Sequence, residues 1–349
     1  MKAVPTRCSF KAKSHVKKRL IQITEPLLKR LGLCLLSDKD YQRLKRNQTL
    51  LTELVHQARQ TNGNATSKDG ISFIIFSKDR ALQLDGLLRS MLHHVTGAYS
   101  IHVLYSTSNT AHAHAYQELA DGIQNTDRIQ WTKEADFKED LVRTLQCVQT
   151  ASVCFLVDDI VFIRPVDLDT LDRNAMSGGI VSLRLGNQIT FCYTKQKAMQ
   201  LPTLNPSKKQ DDLLKFSWEE GCYDWAYPLS VDGHIFPTSE ILVAAKLLDY
   251  RAPNTFERAL QMLTPLYQKR LGYCFESPKM FNIPLNRVQN ENDNLSGEIS
   301  PEYLLAKWQA GLTLDIKALE NISTNSVHKE VPVRFTTKRQ LRPSQKKAR

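Results

Sequence analysis

The chain has 349 residues, 42% of them hydrophobic, which allows a sizeable core and excludes a globally disordered protein. No run approaches the ~20 consecutive apolar residues of a membrane span, and the basic opening Met1–Lys18 has no apolar stretch behind it, so a cytoplasmic protein is expected. The net charge of +11 sits at the ends: residues 1–70 hold 15 Lys/Arg against 5 Asp/Glu, and Arg334–Arg349 holds seven basic residues and no acid. The middle is therefore acidic, which argues against a nucleic-acid channel through the core. An anionic partner, such as the inner membrane surface, would be met peripherally by the basic ends.

In chain order, residues 1–70 form a basic, helical extension. Val16, Leu20, Ile21, Leu27, Leu28 and Leu31 lie near helical spacing, and Tyr41, Leu44, Gln48, Leu51, Val55 and Ala58 form a heptad-like stripe. The stripe reads as a helix packed on the domain, with homodimerisation and membrane-surface docking as open alternatives. A polar, turn-rich linker covers 61–70. From 71 to 290 strands and helices alternate. Ile71–Phe76, Ile101–Tyr105, Arg128–Trp131 and Val153–Val157 read as strands; Ala81–Val95, Ala111–Ile123 and Phe137–Thr150 read as helices. Such alternation predicts a parallel sheet covered on both faces. Ligands of such sheets sit beyond the carboxyl ends of the strands. Ser77-Lys78-Asp79-Arg80 and Asp158-Asp159, each following an apolar strand, should therefore share one crevice.

After 165 the pattern changes. Gly179–Leu185 and Ile189–Tyr193 predict a hairpin around Gly186-Asn187. An aromatic and acidic segment, Phe216–Phe236, follows, and then helices over Ser239–Leu248 and Thr255–Leu263. The last zone, 291–349, holds one helix capped by Ser300, opened by Pro301 and stopped by Gly311, and then a basic tail expected to be disordered. The seven cysteines are scattered, without Cys-x-x-Cys, and read as small buried residues.

Asp158-Asp159 carries the sharpest chemistry. Two acids between Val153–Val157 and Ile160–Phe162 are costly to bury unless paired or bound to a cation. Carboxylates suit Mg²⁺ or Mn²⁺, hard ions that also ligate a diphosphate. The competing reading is helix capping or a structural pair with Arg164 or Arg173.

The run Ile71–Arg80 with Leu84, Leu87, Leu88 and Ser90, followed by Phe155-Leu156-Val157-Asp158-Asp159, resembles the GT-A glycosyltransferases (family 2-like) and their DxD-type metal motif. The resemblance covers roughly 71–240. It implies an α/β fold with a Rossmann-like mixed sheet flanked by helices, here with a helical N-terminal extension. It also implies a metal-assisted transfer of a hexosyl-type sugar from a nucleotide-diphosphate donor to a hydroxyl acceptor, in polysaccharide or glycolipid synthesis. Ser77, Asp79, Arg80 and Asp158, with Lys78, would hold the nucleotide. Asp158, Asp159 and His234 would hold Mn²⁺ or Mg²⁺. The catalytic base would come from Asp232, with Glu219, Glu220 and Asp224 as rivals, and Trp218 and Trp225 would stack on sugar. The chain departs from the pattern in having Ile160 where the second acid of Asp-x-Asp stands. It also has Tyr105-Ser106-Thr107 where many relatives carry an acid that reads the base. Two other readings stay open: a nucleotidyltransferase using the same crevice, disfavoured because Ser77–Arg80 has no glycine, and a non-catalytic scaffold of the same fold.

Overall fold

The computed structural model describes residues 37–61, 68–123, 127–171, 175, 178–207, 212–285 and 299–338. The expected helix over Val16–Leu31 lies outside them. The chain divides into two compact units, Met1–Thr52 and Glu53–Arg349, with the division inside helix α1 (Asp38–Thr61). α1 opens on Ser37, whose hydroxyl accepts the Asp40 N–H at 3.1 Å. Of the heptad-like stripe, Tyr41, Leu44 and Leu51 are 53%, 51% and 40% exposed, while Leu50 and Leu54, off the stripe, are buried. No helix among the described residues is long and apolar enough to cross a membrane.

The second unit is a mixed α/β domain built on a nine-stranded sheet. Its first half is β1 (Lys68–Lys78), α2 (Ala81–His94), β2 (Tyr99–Ser106), α3 (Thr110–Gly122), β3 (Ile129–Lys133), α4 (Phe137–Cys147) and β4 (Thr150–Val157). β1 is central, parallel to β2 on one side and to β4 on the other. Helices cover both its faces, so Phe73, Ile74 and Ile75 are fully buried, which is why the sequence there is a continuous apolar run rather than an alternating one. Each such side chain contributes about 1.5–3 kcal/mol.

Beyond β4 the sheet becomes mixed. After β5 (Ile160–Phe162), the strands of this half that build the large sheet are β6 (Ile180–Ser182), the edge pair β7 (Asn205–Pro206), β8 (Leu213–Ser217), β9 (His234–Pro237) and β10 (Leu271–Phe275), and β11 (Met280–Asn282) follows outside it. β9 lies antiparallel between β4 and β6; β10 runs parallel to β6 and antiparallel to β8. β5 leaves the large sheet and pairs with β11. The longer helices are α5 (Thr238–Leu247) and α6 (Pro253–Leu260). The hairpin expected around Gly186-Asn187 does not form. β6 belongs to the large sheet, and Phe191-Cys192 pairs instead with Lys197-Ala198. Neither Gly186 nor Asn187 has the positive φ that a tight primed turn needs.

The C-terminal segment holds α7 (Pro301–Gln309), β12 (Leu312–Leu314) and β13 (Phe335–Thr337). Ser300 Oγ accepts the Tyr303 N–H at 3.1 Å, and Gly311 ends the helix region at φ +74°. The start of the basic tail is structured, because β13 pairs with β12; within the tail, residues from 339 on lie outside the described residues.

Candidate functional site

The two motifs meet as the parallel topology requires. Phe76 pairs with Val157 in register, so Ser77 and Asp158 emerge side by side at the carboxyl end of the sheet. Asp158 ties the turn after β1 together. Its Oδ2 accepts from Ser77 Oγ at 2.8 Å and from the Lys78 N–H at 3.2 Å, and its Oδ1 accepts from Arg80 Nη1 at 2.9 Å. Tyr116, on α3, completes the turn: its hydroxyl bonds Ser77 Oγ and accepts the Arg80 N–H at 3.2 Å. Asp79 adopts φ +55°, a left-handed conformation that Asp tolerates better than most residues. Its N–H donates to the Ser106 carbonyl at 3.3 Å, and its Oδ1 accepts the Ser108 N–H at 2.7 Å.

Asp159 is placed differently. Its Oδ1 accepts from Asn282 Nδ2 at 3.0 Å, and its Oδ2 lies 3.7 Å from Arg80 Nη1. Burial pushes its carboxyl up to about 7, with Asp158 and Asp232 adding to the push and Arg80 opposing it. The fit to a hard cation can be judged from these contacts. Asp158 spends both oxygens inside the turn, whereas Asp159 is a carboxylate crowded by like charges. Mg²⁺ and Mn²⁺ bind through one or two carboxylates together with substrate phosphates, so Asp159 and the outer face of Asp158 suit that mode. His234 does not join them. Among the described residues, Asp158, Asp159 and His234 form no group whose ligand atoms approach within 4.8 Å of one another. The His234 ring is fully buried against Trp218 and Phe236, bonds the Pro228 carbonyl through Nδ1 at 2.9 Å, and is held neutral, at about 3, by burial first and Arg184 second.

A second charged cluster borders the first. Gly233 donates its N–H to the Phe155 carbonyl at 2.8 Å, which brings Asp232 beside the end of β4. Arg184, its side chain only 3% exposed, lies 3.1 Å from Asp232 and 3.9 Å from Asp224. Glu257, on α6, accepts from Ser230 Oγ and from the Val231 N–H, each at 3.1 Å. Burial raises Asp232 to about 7 against the pull of Arg184, and it raises Asp224 and Glu257 as well.

Three sequence expectations are not met here. Glu219 and Glu220 are exposed, and Glu220 only accepts the Thr203 N–H at 3.1 Å, so neither faces the cluster. Trp218 and Trp225 are core residues at 1% and 0% exposure, not sugar platforms, and Trp225 Nε1 donates to the Ile189 carbonyl at 2.9 Å. Arg164 does not pair with the acids but donates to the Pro278 carbonyl at 3.0 Å; Arg173, the other expected partner, lies outside the described residues. Sequence reading also passed over Arg184, Glu257, Asn282, Tyr116 and Glu134. Arg184 carried a signal: it interrupts the apolar stretch Ile180–Leu185 as the acids interrupt theirs. Glu134 is an acid at the same sheet edge: its N–H donates to the Tyr105 carbonyl at 2.8 Å, and burial raises its carboxyl.

No family model matches the chain. The chain is 26% identical over 263 residues to the bifunctional glycosyltransferase pgtA of Dictyostelium discoideum, a match covering 65% of this chain and 33% of that protein. The resemblance to glycosyltransferases extends, then, well past the two motifs. The chain spans about a third of the length of that curated relative. Among solved structures, S. aureus TarS 1–349 in complex with UDP-GlcNAc aligns at TM-score 0.39 and 12% identity, over 64% of this chain and 60% of that one. The WbbM bifunctional glycosyltransferase aligns at TM-score 0.34 and 13% identity, over 59% and 39%.

Proposed function

We propose that the crevice binds a nucleotide-diphosphate sugar and transfers its sugar to a hydroxyl acceptor. The observation that carries this reading is the convergence of Ser77–Arg80 with Asp158-Asp159, joined through the hydrogen bonds of Asp158. In this reading Ser77, Lys78, Asp79 and Arg80 form the donor turn. Arg80, whose planar fork suits phosphate oxygens, moves from the carboxylates to the diphosphate as the donor enters. Asp159, with Asp158 beside it, would hold Mg²⁺ or Mn²⁺, which supplies charge neutralisation for the leaving diphosphate.

Asp232 is the base in this scheme. A carboxylate near 7 is matched to taking a proton from a sugar hydroxyl at neutral pH. Arg184 orients it and opposes its protonation, so that the carboxylate stays charged to lower pH than burial alone would allow. Asp224 and Glu257 share that guanidinium and act through it. Transfer to a growing polysaccharide or a glycolipid, with the basic ends against an anionic membrane, is the acceptor class we favour. The support is the charge asymmetry of the sequence.

The direct experiment is a thermal-shift titration of the full chain with a panel of nucleotides and nucleotide sugars, with and without Mn²⁺. A ligand at ~100 times its dissociation constant adds ~2.7 kcal/mol. A metal-dependent rise with one diphosphate nucleotide, lost in Asp159→Asn, supports the reading and names the donor base. No rise with any nucleotide sinks it.

A further inference from the structure

α2 leads away from the donor turn, and its last two residues are His93 and His94. Thirteen helical steps put them about 20 Å from its start. There they meet a residue from far along the chain: His93 Nε2 lies 3.4 Å from Glu320 Oε1. The two imidazole rings stand 4.7 Å apart, and one ligand-type atom from each of His93, His94 and Glu320 falls within 4.8 Å of the others. Among the described residues this is the trio of histidine, cysteine or carboxylate side chains that comes together so closely. Ligand atoms ~2.1 Å from a zinc ion at tetrahedral angles stand about 3.4 Å apart, the same spacing as the His93–Glu320 pair.

Each half of the trio is fixed without the other. α2 is a core helix, with Met91 fully buried and His94 only 7% exposed. Glu320 closes a short turn, its N–H on the Lys317 carbonyl at 3.2 Å. The next residue, Asn321, takes φ +57° and donates its N–H to the Ile163 carbonyl at 2.9 Å. Arg164 Nη2 holds the following carbonyl, of Ile322, at 3.0 Å. The last turn of a helix also carries partial negative charge that favours a cation. An ordinary surface ion pair accounts for His93 and Glu320 alone. It gives no reason for the buried His94 ring to stand at the same point. His93 and Glu320 also line a cavity of about 600 Å³, with Trp308 and Lys338, so a fourth coordination position has room for water.

We infer that His93, His94 and Glu320 bind a borderline divalent metal, Zn²⁺ foremost, at a site separate from the carboxylates of the donor crevice. Two imidazoles and one carboxylate select zinc-like ions, whereas an all-oxygen set selects Mg²⁺ or Mn²⁺. The ion would staple the turn bearing Glu320 to the end of α2. This inference stands whether or not the crevice binds a nucleotide sugar.

The test is a titration of the metal-stripped full chain with Zn²⁺ alone, read by competition with a chromophoric chelator. The comparison set is the parent, His93→Ala, Glu320→Gln and Asp159→Asn. His93 is 58% exposed, so its alanine variant should keep the fold, which circular dichroism checks. One equivalent should bind the parent and Asp159→Asn alike, and at least about tenfold more weakly in the other two, given that even partners of a ligand cost that much. Co²⁺ in place of Zn²⁺ should give the visible bands of a tetrahedral site in the parent and lose them in His93→Ala. Failure of the parent to bind Zn²⁺ overturns the inference. So does equal affinity across His93→Ala and Glu320→Gln, or a loss confined to Asp159→Asn.

Discussion

The two halves of the crevice are built on different plans. The half proposed to hold the donor, β1 to β4 and hereafter the donor half, is assembled from neighbours in sequence: each strand is followed by the helix that covers it, and its polar turn directly follows an apolar run. The other half collects Arg184 from the end of β6, Asp224 and Asp232 from the segment before β9, and Glu257 from α6. The first half is stabilised piece by piece, through propensity, caps and burial. The second is stabilised through one guanidinium shared by three carboxylates. Damage should therefore be graded in the first and abrupt in the second.

The largest effect expected is on rate. If Asp232 is the base proposed above, Asp232→Asn keeps the shape and removes it, which should lower kcat by about 10²–10⁴-fold. The parent's kcat/KM should rise with pH through about 7, where Asp232 gives up its proton, and the residual activity of the variant should lack that limb. A variant that keeps both the rate and the limb would hand the role to another group.

Arg184→Met should cost nearly as much, but in stability. It leaves Asp224, Asp232 and Glu257 buried without their counter-charge, a loss of about 3–5 kcal/mol. Protonating the carboxylates relieves the repulsion, so the deficit, read by urea melts, should shrink from pH 8 to pH 5. A pH-independent deficit would mean that Arg184 matters for packing and not for charge.

Asp159→Asn has the opposite sign. In the folded chain this carboxyl titrates near 7, above its unfolded value near 4. The folded state therefore holds the proton longer, and the group's contribution, intact below pH 4, is lost as pH rises to 7. The amide carries no such penalty and can still accept from Asn282. The variant should match the parent at pH 4 and exceed it by about 2–4 kcal/mol at pH 8, while losing any Mn²⁺-dependent shift. Equal melting curves at pH 8 would show that Arg80 already neutralises the site.

What the sequence revealed follows the same division. β1, α2, β2 and α3 were legible to within a residue or two at most ends, because period and caps are local. The meeting of Ser77–Arg80 with Asp158-Asp159 followed from parallel topology alone. The second half was not legible in this way. Three-residue strands such as β6 and β11 leave too little pattern to read, and Ile180–Ser182 finds its partners at 234–235 and 272–274. Trp218 and Trp225 were assigned to sugar because aromatic residues near acids suit a carbohydrate site, but nothing local told that both would be enclosed. Asn282 reaches Asp159 only because β11 pairs with β5, a contact 123 residues apart that no short window contains.

The smallest effect sharpens the contrast. Asp136 caps α4 in the donor half, its Oδ1 accepting the Glu139 N–H at 2.9 Å. Removing such a cap costs about 0.5–2 kcal/mol. Here the loss should lie near the lower end, because a second carboxylate shares the work: Asp140 Oδ2 accepts the N–H groups of Ala135 at 2.8 Å and Asp136 at 3.1 Å. Asp136→Ala should thus lower stability by about 0.5–1 kcal/mol, and Asp136→Asn, which keeps the acceptor, by only a few tenths. The measurement is a set of denaturant midpoints at constant slope. A loss of several kcal/mol would mean that the donor half, too, depends on single charged contacts, and the division between a graded and an abrupt half would fail.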